Sequence, residues 1–303
     1  MSDKSASSWA DATWSPVTGC DPISQGCKNC YAKREVEQRW SKNPKSVFFG
    51  RDFNDVQCHV SALDQPMRWK KPKKIFVCPR ADLFHDEVPF GFIDLVFSAM
   101  ELSRQHIFQV LTKRAERMRT YIKTRCWYHH PLPNVWLGVS VEDQAAADER
   151  IPLLLDMPAA VRWISAEPLL GPVDLNKVRH TPKHSDWTYC WNALSGFRGH
   201  KCGGTDNNPR LDWVIVGGES GQKARPMHPD WATSLRDQCE TAGVAYYFKQ
   251  WGAWIPMMGH AEGIPVRGEK FIHPDGTIMG YAGRKAGRRL DGVIHDAYPE
   301  VQR

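Results

Sequence analysis

The residues best suited to chemistry are three cysteines within eleven positions, Cys20-Asp-Pro-Ile-Ser-Gln-Gly-Cys27-Lys-Asn-Cys30. Three thiolates can bind three irons of a 4Fe-4S cluster and leave the fourth iron open to a substrate or cofactor. Four would close the cluster for electron transfer. Cys-x-x-Cys is also a common half-site for zinc in Cys₃His or Cys₄ ligation, and such cysteines also occur as plain structural residues. Spacing alone leaves all three readings open. No partner C-x-x-C or H-x₃-H lies nearby, which weakens zinc. Gly19 and Gly26 allow the loop to fold tightly around a bulky group.

Such a loop needs a scaffold, and the chain supplies one. Strand-type runs occur at Ala12–Val17, Lys74–Cys78, Ile107–Leu111, Val135–Val141, Val161–Ser165, Trp213–Val216 and Ala245–Phe248. Helix-type stretches alternate with them: Tyr31–Trp40, with Glu35 and Arg39 on one face, Phe90–Arg104, Arg114–Arg125, Gln144–Leu155, and Asp230–Ala242 with Gly243 as its stop. This alternation implies right-handed crossovers and a parallel sheet. The expected fold is α/β, a partial or irregular (β/α) barrel with about six to seven parallel strands spanning residues 1–255. It carries an inserted loop at about 176–210 and a C-terminal tail or lid at 256–303. The cysteine loop directly follows the first strand, on the carboxyl-end face where such folds build active sites.

The segments TWSPVTGCDPISQGCKNCYA, VLTKR, LGVSVE, WISAEPLLGP, WVIVGGESG with ARPMHP, and FKQWG run from about residue 13 to 254. Together they resemble the phage-associated three-cysteine family of radical-SAM-like proteins. Two details depart from the commonest radical SAM pattern: the first gap holds six residues instead of three, and Tyr31 follows the last cysteine. The resemblance implies S-adenosylmethionine bound at a cluster on Cys20, Cys27 and Cys30 and cleaved to a 5′-deoxyadenosyl radical. It implies an external electron donor such as flavodoxin or ferredoxin. It also implies a DNA base or modified nucleotide as substrate, for example an amino-acid adduct on thymine that is isomerised. A DNA photoproduct lyase is the alternative enzyme. A zinc- or cluster-stabilised nucleic-acid-binding protein is the alternative without catalysis.

Polar residues end six successive strands: Arg80 and Asp82; Thr112, Lys113 and Arg114; Ser140 and Glu142; Ser165 and Glu167; Gly217, Gly218 and Glu219; Lys249 and Gln250. One such residue is ordinarily solvated or caps the next helix, but six in succession point to one shared polar face. The expected catalytic residues are Glu219, Lys113 and Glu167. The expected cofactor contacts are Arg80, Asp82, Thr112, Ser140, Glu142, Ser165, Gly217 and Gly218. By the resemblance, Asp82 meets the amino group of S-adenosylmethionine and Ser140 or Glu142 its ribose. Arg225, with Arg80 and Lys113, is suited to a carboxylate or phosphate.

His180, His184, Cys190, His200 and Cys202 match no standard finger spacing, and any metal they held would be zinc. Net charge is +6, a mild lean towards anionic partners. The basic run Arg284–Arg289 fits a phosphate-contacting segment and a solvated surface run equally; together with Arg114, Arg117, Arg119, Lys123 and Arg125 it has the charge for a DNA groove. There Trp251 and Trp254 would stack on a flipped base. Most of the 13 tryptophans fall in strand-like runs and belong to the core. Nine cysteines without framework spacing suit a reducing compartment. Met1–Ala12 lacks the order of a signal peptide, and no apolar run is long enough for a bilayer. The expected location is cytoplasmic, the host cytoplasm for a phage-encoded chain, with no membrane partner.

Overall fold

Apolar runs too short for helices, such as KIFV, VWLGVS and WVIVG, become strands buried almost along their whole length, the pattern of a sheet covered on both faces. The computed structural model describes residues 8–181, 188–200, 203–205, 208–257, 266, 268–283 and 286–300. Its main sheet comprises β1 (Ala12–Trp14), β2 (Lys74–Val77), β3 (Ile107–Thr112), β4 (Val135–Ser140), β5 (Val161–Ala166), β6 (Trp213–Gly217) and β7 (Ala245–Gln250). The strands lie side by side in chain order, and β1–β2, β2–β3, β3–β4, β5–β6 and β6–β7 pair in parallel. A singly wound order is that of a (β/α) barrel rather than of a doubly wound sheet. Because β1 and β7 are the two ends of the order, the barrel is partial. This is the expected α/β class.

The connecting helices are α1 (Tyr31–Glu35), α2 (Phe90–Leu102), α3 (Ala115–Lys123), α4 (Gln144–Leu155) and α5 (Pro229–Ala242). Asp143 starts α4 by accepting a hydrogen bond from the Ala146 amide at 2.9 Å. Gly243 ends α5 in the left-handed conformation, with φ of 64°. α1 runs on as a wider π-type turn, Val36–Trp40. Its altered periodicity separates the expected Glu35–Arg39 neighbours: Glu35 meets Arg80 at 2.9 Å, while Arg39 lies over the Trp40 ring.

The chain divides into two compact units, residues 1–139 with 157–161, and residues 140–156 with 162–303. In the first, Trp9, Trp14, Phe84, Phe97, Phe108 and Tyr121 form an aromatic core. In the second, Trp163 and Trp213 pack with Tyr247 and Tyr298. Trp251 belongs to this core and is not a stacking platform. It is 1% exposed, and its indole N–H donates to the Arg289 carbonyl at 2.8 Å.

The segment expected as an inserted loop contains a four-stranded antiparallel sheet, Val178–His180, Tyr189–Asn192, Phe197–His200 and Gly203–Thr205. Strands of only three or four residues carry too little alternation to be read from sequence. His184 and Cys202, from the expected zinc set, and Arg284 and Lys285 lie outside the described residues. The C-terminal segment forms a three-stranded sheet from Trp254–Pro256, Ile278–Tyr281 and Lys270–Ile272. It then returns to β7 through a bridge between Tyr247 and Asp296. Among the described residues, no helix is long and apolar enough to cross a membrane.

Candidate functional site

β1 ends at Trp14, and a two-residue strand, Val17–Thr18, paired antiparallel with Gln57–Cys58, leads to Gly19. This glycine has φ of 91°, and an added Cβ would lie 2.3 Å from the Asp55 carbonyl oxygen, so no other residue fits there. The next amide, of Cys20, donates to the Phe53 carbonyl at 3.0 Å. Cys27 closes a single 3₁₀ turn, and Cys30 caps α1, its amide donating to the Cys27 carbonyl at 3.2 Å. Cys20 and Cys30 pack on a small apolar cluster of Ala32, Val36, Phe48 and Phe53. The loop is therefore held in place by its own unit of the protein.

Burial pushes the Cys20 thiol up to about 12; the Asp82 charge adds to this and Arg114 opposes it. Burial also raises Cys30, offset by the backbone N–H groups of Lys33 and Ala32 and by the charge of Lys113. The nearby Cys27 adds to the rise of both. A metal bound here must displace protons. Among the described residues, the three sulfurs are not gathered within 4.8 Å of one another. A tetrahedral zinc with bonds of ~2.3 Å holds its sulfurs about 3.8 Å apart. A multi-iron cluster holds its cysteines further apart, because each ligates a different iron.

Asp82, in the segment that follows β2, is the centre of a hydrogen-bond network. It accepts from the Thr112 hydroxyl at 2.7 and 2.8 Å, the Phe84 amide at 2.9 Å, the Lys113 amide at 3.2 Å and Arg114 at 3.4 Å. Arg114, 9% exposed, also reaches the Cys20 sulfur at 3.7 Å and Asp21 at 2.6 Å. The imidazole of His85 bonds Asp21 as well. The expected cofactor contacts Asp82 and Thr112 are thus brought together with the cysteines, where they hold each other and Arg114. Arg114 itself does not line a DNA groove: its acidic neighbours draw it inward. Arg80 pairs with Glu35 and lies over Trp40.

The second unit gathers the remaining candidates. Arg150 donates to the Ser140 carbonyl at 2.8 Å and to Glu142 at 2.6 Å, and both charged side chains are buried. Glu167 pairs with Lys249 at 2.9 Å and accepts from the Ser165 hydroxyl at 3.1 Å. Gly217 ends β6, and its carbonyl accepts from the Leu169 amide at 3.0 Å. At Gly218 an added Cβ would lie 2.0 Å from the Trp251 carbonyl oxygen, so the backbones meet with no room for a side chain. Glu219 accepts from the Arg225 amide at 2.8 Å and from its guanidinium at 2.9 and 2.5 Å. The Arg225 fork expected to hold a ligand carboxylate holds Glu219.

A family model described as a protein of unknown function, DUF5131, matches residues 4–299. The chain belongs to the DUF5131 family. No curated protein and no solved structure matches it.

In this DUF5131 protein, His228, Asp230 and Asp275 place ligand-type atoms within 4.8 Å of one another. Their hydrogen bonds describe a helix cap instead. Nδ1 of His228 accepts from the Asp230 amide at 3.1 Å, so the ring proton belongs on Nε2, which faces Asp275 at 2.9 Å and Thr277 at 3.1 Å. A metal at Nε2 would strip the ring of that proton. Two other cations of the expected groove are also engaged: Arg117 with the Val88 carbonyl at 2.6 Å, and Arg125 with Asp94 at 2.7 Å. Sequence reasoning missed Asp21 and His85, and misplaced Arg114. Adjacency to Cys20 was the available signal for Asp21, and the strand-end position for Arg114.

Proposed function

We propose that this DUF5131 protein is a radical SAM enzyme whose 4Fe-4S cluster is held by Cys20, Cys27 and Cys30. One observation carries the reading: three cysteines, with Cys27 acting on both of the others, lie in the loop after the first strand of a parallel sheet. When bound, the cluster supplies the electron that splits S-adenosylmethionine into methionine and a 5′-deoxyadenosyl radical, which takes hydrogen from the substrate. The chain's own residues prepare the place. Gly19 and the apolar cluster fix the loop, the thiols give up their protons, and Arg114 and Lys113 set positive charge beside Cys20 and Cys30. The net charge of +6 and the resemblance of the motifs support a DNA base or modified nucleotide as substrate.

The test is anaerobic reconstitution followed by metal, sulfide and product analysis. About four irons and four sulfides per chain are expected, with 5′-deoxyadenosine formed from S-adenosylmethionine under a strong reductant. Cys20→Ser, Cys27→Ser and Cys30→Ser each lose both. Zinc without sulfide, or a full cluster that yields no 5′-deoxyadenosine, refutes the reading.

A further inference from the structure

We infer that Arg114 sets the reduction potential of the metal centre at Cys20, and that Asp82 is the residue that positions it. This role presupposes the cluster proposed for Cys20, Cys27 and Cys30. The guanidinium is buried, with Nη1 3.7 Å from the Cys20 sulfur and 3.4 Å from Asp82, and Nη2 2.6 Å from Asp21. The planar guanidinium fork fixes the directions of its donors, so it holds three partners in set positions, whereas the ammonium of lysine is a point charge on a flexible stem. Asp82 is itself immobilised by the Thr112 hydroxyl and the Phe84 and Lys113 amides, and the Arg114 amide donates to the Thr112 hydroxyl at 2.8 Å. The cation therefore has no room to swing away from the sulfur.

Reduction adds negative charge to a cluster. A fixed cation and an N–H donor at a ligating sulfur favour the reduced form and raise the potential. Asp21 works against Arg114, because its carboxylate partly neutralises the same cation.

The experiment is a redox titration of the reconstituted protein followed by electron paramagnetic resonance, with iron and sulfide measured in each sample. Arg114→Gln is expected to keep the cluster and to lose at least tenfold in the reduction equilibrium, a fall of about 59 mV for a one-electron couple. Arg114→Lys falls less, and Asp21→Asn shifts the potential upward. A purely structural role would not give shifts of opposite sign. If Arg114→Gln does not fold, Arg114→Lys and Asp21→Asn carry the comparison. Unchanged potentials at full cluster content overturn the inference and leave the cluster reading standing. Wild-type protein without iron and sulfide overturns both.

Discussion

Replacing Arg150 with Met tests whether Glu142 is part of the scaffold or a carboxylate available to a ligand. Glu142 is 1% exposed and Arg150 3% exposed. Their side chains meet at 2.6 Å, and Arg150 also ties down the Ser140 carbonyl at 2.8 Å. Removing one partner of a buried, hydrogen-bonded charge pair costs about 3–5 kcal/mol. That is a large share of a net stability of about 5–15 kcal/mol. At a urea slope of ~3 kcal/mol per molar, the unfolding midpoint falls by about 1–2 M. Tryptophan fluorescence in urea at neutral pH reads this directly. The double variant Glu142→Leu with Arg150→Met removes both charges and recovers most of the loss. If Arg150→Met unfolds within about 1 kcal/mol of wild type, or the double variant is no better than the single, the carboxylate is not clamped as described.

Gly218→Ala forces a Cβ to within 2.0 Å of the Trp251 carbonyl, and backbone cannot give way as a side chain can. A loss of about 1–3 kcal/mol or more is expected by thermal melting, whereas Gly91→Ala, with open space around it, is tolerated. Equal melting temperatures for Gly218→Ala and wild type would contradict this packing. The amide and hydroxyl of Thr277, helped by His228, hold the Asp275 carboxyl down at about 2, against an ordinary 3.8. Its native-state value is lowered, so its stabilisation is complete above 3.8 and is lost as pH falls towards about 2. Asp275→Asn should melt below wild type at pH 6, and the gap should narrow only once the pH drops beneath that ordinary value. A gap independent of pH across this window counts against the assignment.

The strands and helices of the main sheet were legible because their signals are local. α4 spans Gln144–Leu155 as its pattern indicates, and Gly243 stops α5. The antiparallel sheet within residues 178–205 was not legible, because its strands are too short to show a period. Cysteine type and spacing marked the candidate loop. The work of Asp82 could not be read in advance: a carboxylate waiting for a ligand and one holding a distant hydroxyl look identical in sequence. Thr112 lies 30 residues away, and only the pairing of β2 with β3 brings the two together. Arg114 shows the same limit. A run of Thr, Lys and Arg at a strand end gives no sign of which cation turns inward.

The chain-order arrangement of the sheet bears on how the protein is made. Each strand from β2 to β7 adds to the exposed edge left by the one before it, and none has to be inserted between two already in place. The residues that support Cys20, from Gly19 and Phe53 to Asp82, Thr112 and Arg114, are all synthesised before residue 115. Emerging from the ribosome in N-to-C order, the chain can therefore assemble the surroundings of its cysteine loop while most of its length is still untranslated.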